Sequence, residues 1–236
     1  MSNQSYRPHV FLNMAMSIDG KISTRDGTGP RFTGTADEVR LREIRTHADA
    51  ILVGAGTIIS DDPTFTEDGI YKDERVQRGL SPQPIKVVVS GSGSVPESAR
   101  MFEPNGAPAL VFTTTRIPSN RKKMLDNAAD AVHIVGDDEV DFTQIVELLG
   151  RDYNVKNLLI EGGGQVNFAM FREQLIDEVY LTLCPRVIGG RDVPTPVEGA
   201  GFDFIDLIEL ELLDHRIVEG ENFLHYRVVH RNRENA

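Results

Sequence analysis

The chain has 236 residues, 40% of them hydrophobic, with 36 acidic side chains against 25 lysines and arginines and a formal net charge of −11. This length permits a sizeable core in one large domain or two small ones, and a charged fraction of 26% excludes wholesale disorder. The negative charge argues against nucleic acid or an anionic membrane as the main partner, but a local cluster of cations and backbone N–H groups can still bind a phosphorylated ligand.

The start of the chain and its single cysteine indicate the compartment. The first ten residues have neither the basic start nor the apolar stretch of a signal peptide, and no run approaches the ~20 apolar residues of a membrane helix. Cys184 stands alone in an apolar run, which is typical of a buried, unreactive thiol and excludes a disulfide framework. We therefore expect a cytoplasmic protein with no membrane partner.

Short apolar runs alternate with amphipathic stretches along most of the chain, which predicts alternating strands and helices. A strand over residues 9–16 precedes a loop over 17–30 that is rich in Gly, Asp and Thr. Thr35 and Glu38 have the spacing of a capping box, so they predict the start of a helix that ends near His47. The same patterns predict strands over 50–53, 85–89, 109–114, 131–135, 157–160 and 177–183, and helices over 120–128, 142–150 and 165–174.

The middle and the end of the chain depart from this alternation. Residues 61–83 are mostly polar and contain Pro63 and Pro82, so they predict a long connection with about one helical turn. The β runs over 207–213 and 223–229 predict an antiparallel hairpin.

Parallel β-α-β units followed by an antiparallel pair imply an α/β fold, with one mixed, mainly parallel sheet flanked by helices. The sequence contains no internal repeat, low-complexity tract or dividing linker. We therefore expect a single domain over residues 1–236, with flexible tails at 1–6 and 231–236.

The segment L-L-I-E-G-G-G-Q-V, residues 158–166, carries the strongest local signal. An apolar strand leads directly into three glycines and then into a helix, whose first N–H groups can bind a diphosphate. A tight strand-to-helix turn without a ligand is the alternative. The spacing differs from G-x-G-x-x-G and comes late in the chain, which argues against a first-unit dinucleotide fold. Glu161 would repel phosphate, so we expect it to accept hydrogen bonds from a pyrimidine or a ribose.

A second glycine-rich turn, G-A-G-T, occupies residues 54–57. Thr57 can donate to a phosphate or an amide, and it can equally cap a helix. Asp61 and Asp62 have no histidine or third carboxylate nearby, so they do not predict a metal site. Asp62 before Pro63 is typical of a turn.

The third feature is N-M-A-M-S-I-D-G-K, residues 13–21, at the end of the first strand. Asp19 with Gly20 is a common turn, and Lys21 adds a cation that can meet a phosphate. The six histidines show no ligand spacing, and the chain lacks G-x-S-x-G, P-loop and H-E-x-x-H motifs, so no metal is expected.

Taken together, segments 13–21, 49–63 and 157–164 resemble the signature segments of the riboflavin-pathway pyrimidine reductases. Three motifs occur together: D-A-I-x-V-G-x-x-T-x-x-x-D-D-P, then E-G-G-G, and M-S-I-D-G-K. The likeness extends from about residue 7 to residue 229. This family has a dihydrofolate-reductase-like fold and uses NADPH. The resemblance therefore implies an NADPH-dependent oxidoreductase acting on a phosphorylated pyrimidine.

The resemblance also assigns roles to matching positions. Glu161 matches a substrate-contacting carboxylate, Arg45 an arginine that holds the ribose phosphate, and Phe65 an apolar residue on the substrate side. Asp19 and Lys21 lie in the loop lining the same cavity and, with Glu161, are the candidate catalytic residues. The positions that match NADPH contacts are Thr57, Asp61, Gly91, Gly163, Gly164, Gln165 and Val166 and, towards the 2′-phosphate, Thr114, Thr115 and Arg116.

In many bacteria this reductase is fused behind a zinc deaminase that carries H-x-E and P-C-x-x-C segments. Neither segment occurs here. The chain therefore resembles the stand-alone reductase, working with a separate deaminase. The family also implies a homodimer whose interface includes the C-terminal strands.

One position departs from the family pattern. Fused bacterial members continue D-D-P-x-L-T-V-R, and that arginine contacts substrate, whereas this chain places Asp68 there. Acidic side chains beside a phosphate are unfavourable, so we expect either a different presentation of the substrate or a replacement by Arg75 or Arg78.

The implied reaction is the reduction of a ribosyl group to a ribityl group, on 5-amino-6-(5-phosphoribosylamino)uracil or on its 2,5-diamino-pyrimidinone precursor. Arg45 and Lys21 would anchor the 5′-phosphate, Glu161 would fix the pyrimidine or sugar, and Asp19 or water would deliver a proton. Two alternatives stay open: a dihydrofolate or other pterin reductase on the same fold, and a non-catalytic module that binds NADP(H).

Overall fold

The computed structural model describes residues 7–27 and 32–230, and the tails expected at 1–6 and 231–236 lie outside these ranges. The strands are β1 His9–Ser17, β2 Ala50–Gly54, β3 Ile85–Val89, β4 Ala109–Thr113, β5 Ala131–Ile134, β6 Asn157–Ile160, β7 Glu178–Cys184, β8 Glu209–Val218 and β9 Glu221–Val229. The helices are α1 Thr35–Arg45, α2 Ala55–Asp61, α3 Gly69–Gln77, α4 Ser119–Ala128, α5 Phe142–Asp152 and α6 Gly164–Arg172.

All of these strands belong to one sheet, in the order β5-β4-β3-β2-β6-β1-β7-β9-β8. Pairing is parallel from β5 to β7, and β9 pairs antiparallel with both β7 and β8. The α/β class with an antiparallel C-terminal hairpin is therefore confirmed. Because β6 is inserted between β1 and β2, the strand order reverses there, and ligands of open α/β sheets bind at such a point.

The central strands are buried on both faces, which explains why their sequences are continuous β-branched or apolar runs. One face, with Leu52 and Ile160, packs against α5 and α6. The opposite face, with Ile51 and Leu159, packs against α1, α2 and α4. Helices thus cover both faces of the sheet and form a separate core with each. The site therefore lies where the strands end.

The predicted capping box at the start of α1 is wrong. Gly34 is the N-cap residue, and no side chain makes a capping hydrogen bond there. Instead the carboxylate of Glu221, from the start of β9, accepts the Gly34 N–H at 2.6 Å. Glu221, which is distant in sequence, thus supplies the acceptor at the start of α1 that the capping box had assigned to a local side chain.

The connection predicted over 61–83 contains more helix than expected. Helix α3 spans Gly69–Gln77 within it, and α2, Ala55–Asp61, occupies what was described only as a glycine-rich turn. Helix α2 ends at Asp61, and its C-cap Asp62 has a left-handed φ of 43°, so the chain turns there as predicted. β8 is also longer than predicted, ending at Val218.

Within residues 7–27 and 32–230, no helix has the length and apolar character needed to cross a bilayer, and no three His, Cys, Asp or Glu side chains are grouped as metal ligands. Cys184 is buried, and burial raises the pKa of its thiol to about 12. Its thiol is therefore protonated at neutral pH, as expected for an unreactive cysteine.

Candidate active site

A cleft of about 530 Å³ opens where β2 and β6 end. The glycine-rich turn at 54–57, the start of α6 and the loop after β1 form its walls. The predicted cofactor residues that line it are Thr57, Asp61, Gly163, Gly164, Gln165 and Val166. Two separate sequence motifs therefore meet in one cavity.

The three glycines of the E-G-G-G segment are required for different reasons. Gly162 has a φ of 86°, and the peptide bond to Gly163 is cis. A Cβ on Gly164 would lie 2.5 Å from the carbonyl oxygen of Thr195, so this position is closed by packing. A Cβ on Gly163 would lie no closer than 3.8 Å to any atom outside its neighbours, the nearest being Thr57 Oγ1. Only Gly163 therefore faces free space.

The first residues of α6 line the cleft. Asn167 is the first residue to donate within the helix, to Gly163 O at 3.1 Å, so the preceding amides of residues 164–166 have no intrahelical acceptor. These amides and the positive end of the helix dipole favour an anion.

A further part of the wall, next to α6, is a segment that the sequence did not single out, residues 192–198. Asn167 Nδ2 donates to Pro196 O at 2.7 Å, and Glu198 N donates to Gly164 O at 3.1 Å. These bonds hold the segment against α6. It carries no motif, so sequence alone offered no signal for it.

The structure gives Asp19 a well-defined set of partners. Its carboxylate accepts hydrogen bonds from Ser17 Oγ at 2.7 Å, Ile188 N at 3.0 Å and Gly189 N at 2.6 Å. These bonds, led by that from Ser17, lower its pKa to about 2. Lys21 Nζ donates to Val193 O at 3.1 Å, on the cleft wall. Both side chains thus connect the loop after β1 to residues 188–193.

Arg45 and Glu161, neither of which lines the cleft, form a bidentate ion pair just after the end of β6. Arg45 donates from Nε and from Nη2 to the two oxygens of Glu161, at 2.7 Å each. Its Nη1 lies 3.4 Å from the buried carboxylate of Glu67, and its Cζ lies 5.6 Å from the ring centre of Phe65. Burial by itself disfavours the Arg45 cation, but the charges of Glu161 and Glu67 outweigh it and raise its pKa.

Phe65, by contrast, is buried in the core cluster beneath α1, so it forms the floor under Arg45. Of the two residues expected to replace the missing arginine, Arg78 contacts His47 Nδ1 at 3.3 Å on the surface and Arg75 is engaged elsewhere. Arg75 is buried and donates to the carbonyls of Arg45, Ala48 and Ser81 at 2.6–3.0 Å, so it cannot reach a substrate.

Gly91, Thr114 and Arg116 lie together beyond the ends of β3 and β4. Thr114 Oγ1 donates to Gly91 O at 2.8 Å and accepts from Arg116 N at 3.2 Å. None of the three lines the cleft, which reaches only as far as Val89 at the end of β3. They form a separate group along the same edge of the sheet.

A model of the RibD C-terminal domain family matches residues 8–222, which is most of the chain. The chain belongs to the RibD C-terminal domain family. Among its relatives in this family, the 2,5-diamino-6-ribosylamino-4(3H)-pyrimidinone 5′-phosphate reductase of Methanothermobacter thermautotrophicus is 35% identical, over 87% of this chain and 91% of the relative. The protein of the same name from Aquifex aeolicus is 30% identical, over 96% and 99%.

Solved structures show that this RibD-type chain shares its fold with proteins of low sequence identity. A pyrimidine reductase-like protein from Corynebacterium diphtheriae is 22% identical and aligns over 95% of this chain and 93% of that one, with a TM-score of 0.82. Acinetobacter baumannii RibD is 21% identical and aligns over 95% of this chain and 59% of the longer one, with a TM-score of 0.74. The family match and the relatives of 30–35% identity confirm the resemblance noted from the three sequence segments.

Proposed function

We propose that this RibD-type chain is an NADPH-dependent oxidoreductase of riboflavin biosynthesis that reduces the ribosyl group of a phosphoribosylaminopyrimidine to its ribityl form. The observation that carries the proposal is the E-G-G-G turn, which opens on the cleft and places Glu161 beside Arg45. The relatives named as diamino-pyrimidinone reductases favour the 2,5-diamino form of the substrate over the amino-uracil form.

The residues of the cleft fit a dinucleotide. The amides of 164–166 and the open approach at Gly163 suit a diphosphate, and Thr57 and Asp61 line the same cavity. We assign Gly163, Gly164, Gln165 and Val166 to the diphosphate, and Gly91, Thr114 and Arg116 to the adenosine end. When bound, NADPH supplies the hydride. Because neutral amides hold the diphosphate, the acidic chain needs few cations there.

The reaction adds a hydride to C1′ of the ring-opened imine and a proton to its nitrogen. Glu161 has a fixed carboxylate that can accept hydrogen bonds from the pyrimidine amino groups or a ribose hydroxyl. With a pKa of about 2, Asp19 is ionised at neutral pH, so we assign it to positioning the 188–189 backbone rather than to proton delivery. Water or Lys21, whose Nζ donates to the cleft residue Val193, is left as the proton source.

We further propose a homodimer and a single reductase domain. β8 is the edge of the sheet, and Leu212 and Ile217 in it are 53% and 67% exposed, which suits contact with a second copy. Strands from both ends of the chain share the sheet, which supports one domain over 1–236. A separate deaminase would act in the same pathway.

The test is direct. Purified protein is given NADPH with each pyrimidine form and, in parallel, with dihydrofolate, and both NADPH oxidation and the product mass are followed. We expect turnover with a phosphoribosylaminopyrimidine and a ribityl product. Turnover with dihydrofolate alone, or NADPH binding without turnover of any pyrimidine, would refute the proposal.

A further inference from the structure

A second cavity, of about 300 Å³, lies between α1 and the strands β1, β6, β7, β9 and β8. It includes His9, Asn157 and Glu178, the first residues of β1, β6 and β7, whereas the proposed cofactor cleft lies where β2 and β6 end. Among the described residues, none lines both cavities. On β8 the cavity is lined by the side that carries Arg216, opposite to Ile217, which we assign to the homodimer contact. Its volume is at the small end of the range for ligand sites.

Two stacked rings form an aromatic platform in this cavity. Tyr180 and His225 are paired across β7 and β9, with ring centres 4.1 Å apart and 11° between the ring planes. The carboxylate of Glu178 holds both rings, because His225 Nε2 lies 2.8 Å from it and the Tyr180 hydroxyl donates to it at 3.3 Å. Burial is the main cause that raises the pKa of Tyr180 to about 12, so the ring is neutral at neutral pH. The platform therefore offers a fixed, flat surface to an aromatic ligand.

A buried cation also lines the cavity. Arg40 is 6% exposed, and its guanidinium donates to Thr182 Oγ1 and to two backbone carbonyl oxygens of β7 and β9, at 2.8–3.0 Å. Within residues 7–27 and 32–230, no carboxylate lies within 4.0 Å of its nitrogens and its Nε–H has no acceptor. Buried charges in proteins are normally paired. Arg40 is therefore a cation without an anion, and the cavity gives an anion access to it.

A second arginine adds positive charge to the same cavity. Burial is the main cause that lowers the pKa of Arg40 to about 10, and the Arg216 cation adds to this shift, so the two charges are close enough to interact. Arg216 pairs with Asp214 at 3.0 Å, but this pair is solvated and contributes little, so its charge is available to a ligand. The other carboxylates of the cavity are Glu178, which the platform engages, and Glu43, which is exposed.

From these observations we propose that the cavity is a binding site for a small planar aromatic anion, separate from the reductase cleft. The ring of the ligand lies on the platform of Tyr180 and His225, and its carboxylate or phosphate group pairs with Arg40 and Arg216.

NMR titration of the purified chain with benzoate and with phenyl phosphate tests the proposal and distinguishes the two anionic groups. Cyclohexanecarboxylate lacks the aromatic ring, and benzyl alcohol lacks the charge. We expect saturable shifts at Tyr180 and His225 with an aromatic anion, and roughly tenfold weaker binding of the other two probes. No saturable shift at these residues with either aromatic anion, or equal affinity for cyclohexanecarboxylate, would overturn the proposal.

Substitutions of the two arginines test the role of charge. Arg40→Gln should weaken binding of the aromatic anion roughly ten- to a hundredfold, and Arg216→Gln roughly three- to tenfold. Arg40→Gln also removes buried hydrogen bonds and lowers stability, so the exposed Arg216→Gln is sufficient for the test. Arg227→Gln is the matched control, because Arg227 is an exposed arginine of the same hairpin, paired with Glu211 at 3.3 Å, that does not line the cavity.

Unchanged affinity in Arg216→Gln, or an equal loss in Arg227→Gln, would show that the anion binds elsewhere. The readout is binding rather than turnover, so this result and the outcome of the reductase assay are independent.

Discussion

Arg45 at the end of α1 and Glu161 after β6 are 116 positions apart in sequence, yet they share two hydrogen bonds of 2.7 Å. The pair joins the first helix to the E-G-G-G turn. It therefore fixes the Glu161 carboxylate relative to the proposed cofactor cleft.

Glu161→Gln keeps the shape of this side chain but removes its charge. We expect kcat/KM for the pyrimidine to fall roughly tenfold to a hundredfold, because charge-assisted hydrogen bonds are lost. The unfolding free energy should fall by about 1–3 kcal/mol, less than for a fully unpaired buried arginine because Glu67 still contacts Arg45. Steady-state kinetics and urea denaturation measure the two effects. Glu139→Gln, at an exposed pair with Arg172, is the control that should change neither.

Asp19 provides a test at low pH. Hydrogen bonds hold its pKa at about 2, below its ordinary value of 3.8, so the folded state binds fewer protons than the unfolded state in this window. Its contribution to stability is present above pH 3.8 and is lost as the pH falls toward 2. Urea midpoints between these pH values should fall more steeply for the wild type than for Asp19→Asn. Parallel curves would show that these hydrogen bonds do not stabilise the loop.

Asp37 should behave in the opposite sense. Burial is the main cause that raises its pKa, and the charge of Glu221 adds to it. The folded state therefore binds the proton more tightly, and the Asp37 contribution to stability falls as pH rises above the ordinary value of 3.8. Asp37→Asn should remove this decline and be more stable than the wild type at neutral pH. A less stable variant at neutral pH would show that the ionised form is the stabilising one.

The glycines beside the cleft separate cofactor binding from folding. Gly163→Ala should fold normally, because its Cβ meets nothing closer than 3.8 Å, but it should raise KM for NADPH by blocking approach to the backbone. Gly164→Ala should instead destabilise the fold by about 1–3 kcal/mol, because its Cβ would lie 2.5 Å from Thr195 O. Thermal unfolding and NADPH titration distinguish the two. If Gly163→Ala bound NADPH normally, the diphosphate assignment would be wrong.

The sequence predicted what depends on local pattern and missed what depends on distant contacts. Strand β3 was placed correctly because a buried parallel strand needs the β-branched run at 85–89. Helix α2 was missed because its short sequence contains a glycine and β-branched residues, and its position after β2 decides its conformation.

Within the candidate site, local motifs likewise indicated some placements and missed those that depend on distant contacts. Thr57 and Gly163 lie in one cleft, as their motifs suggested. The role of Asp19 depends on Ile188, 169 positions away, and could not be derived from its own turn. Likewise, the Gly34 N–H finds its acceptor in Glu221, so the Thr35 capping box never forms.

Leu212 tests the proposed homodimer. β8 is a sheet edge with apolar side chains exposed to solvent, so Leu212→Glu should place a charge in the interface and shift the chain from dimer to monomer. Sedimentation velocity over a range of concentrations measures this. Ile134→Glu is the matched control, because β5 is the opposite edge of the sheet and Ile134 is 45% exposed. A wild-type monomer at all concentrations, or dissociation caused by Ile134→Glu and not by Leu212→Glu, would place the interface elsewhere or remove it.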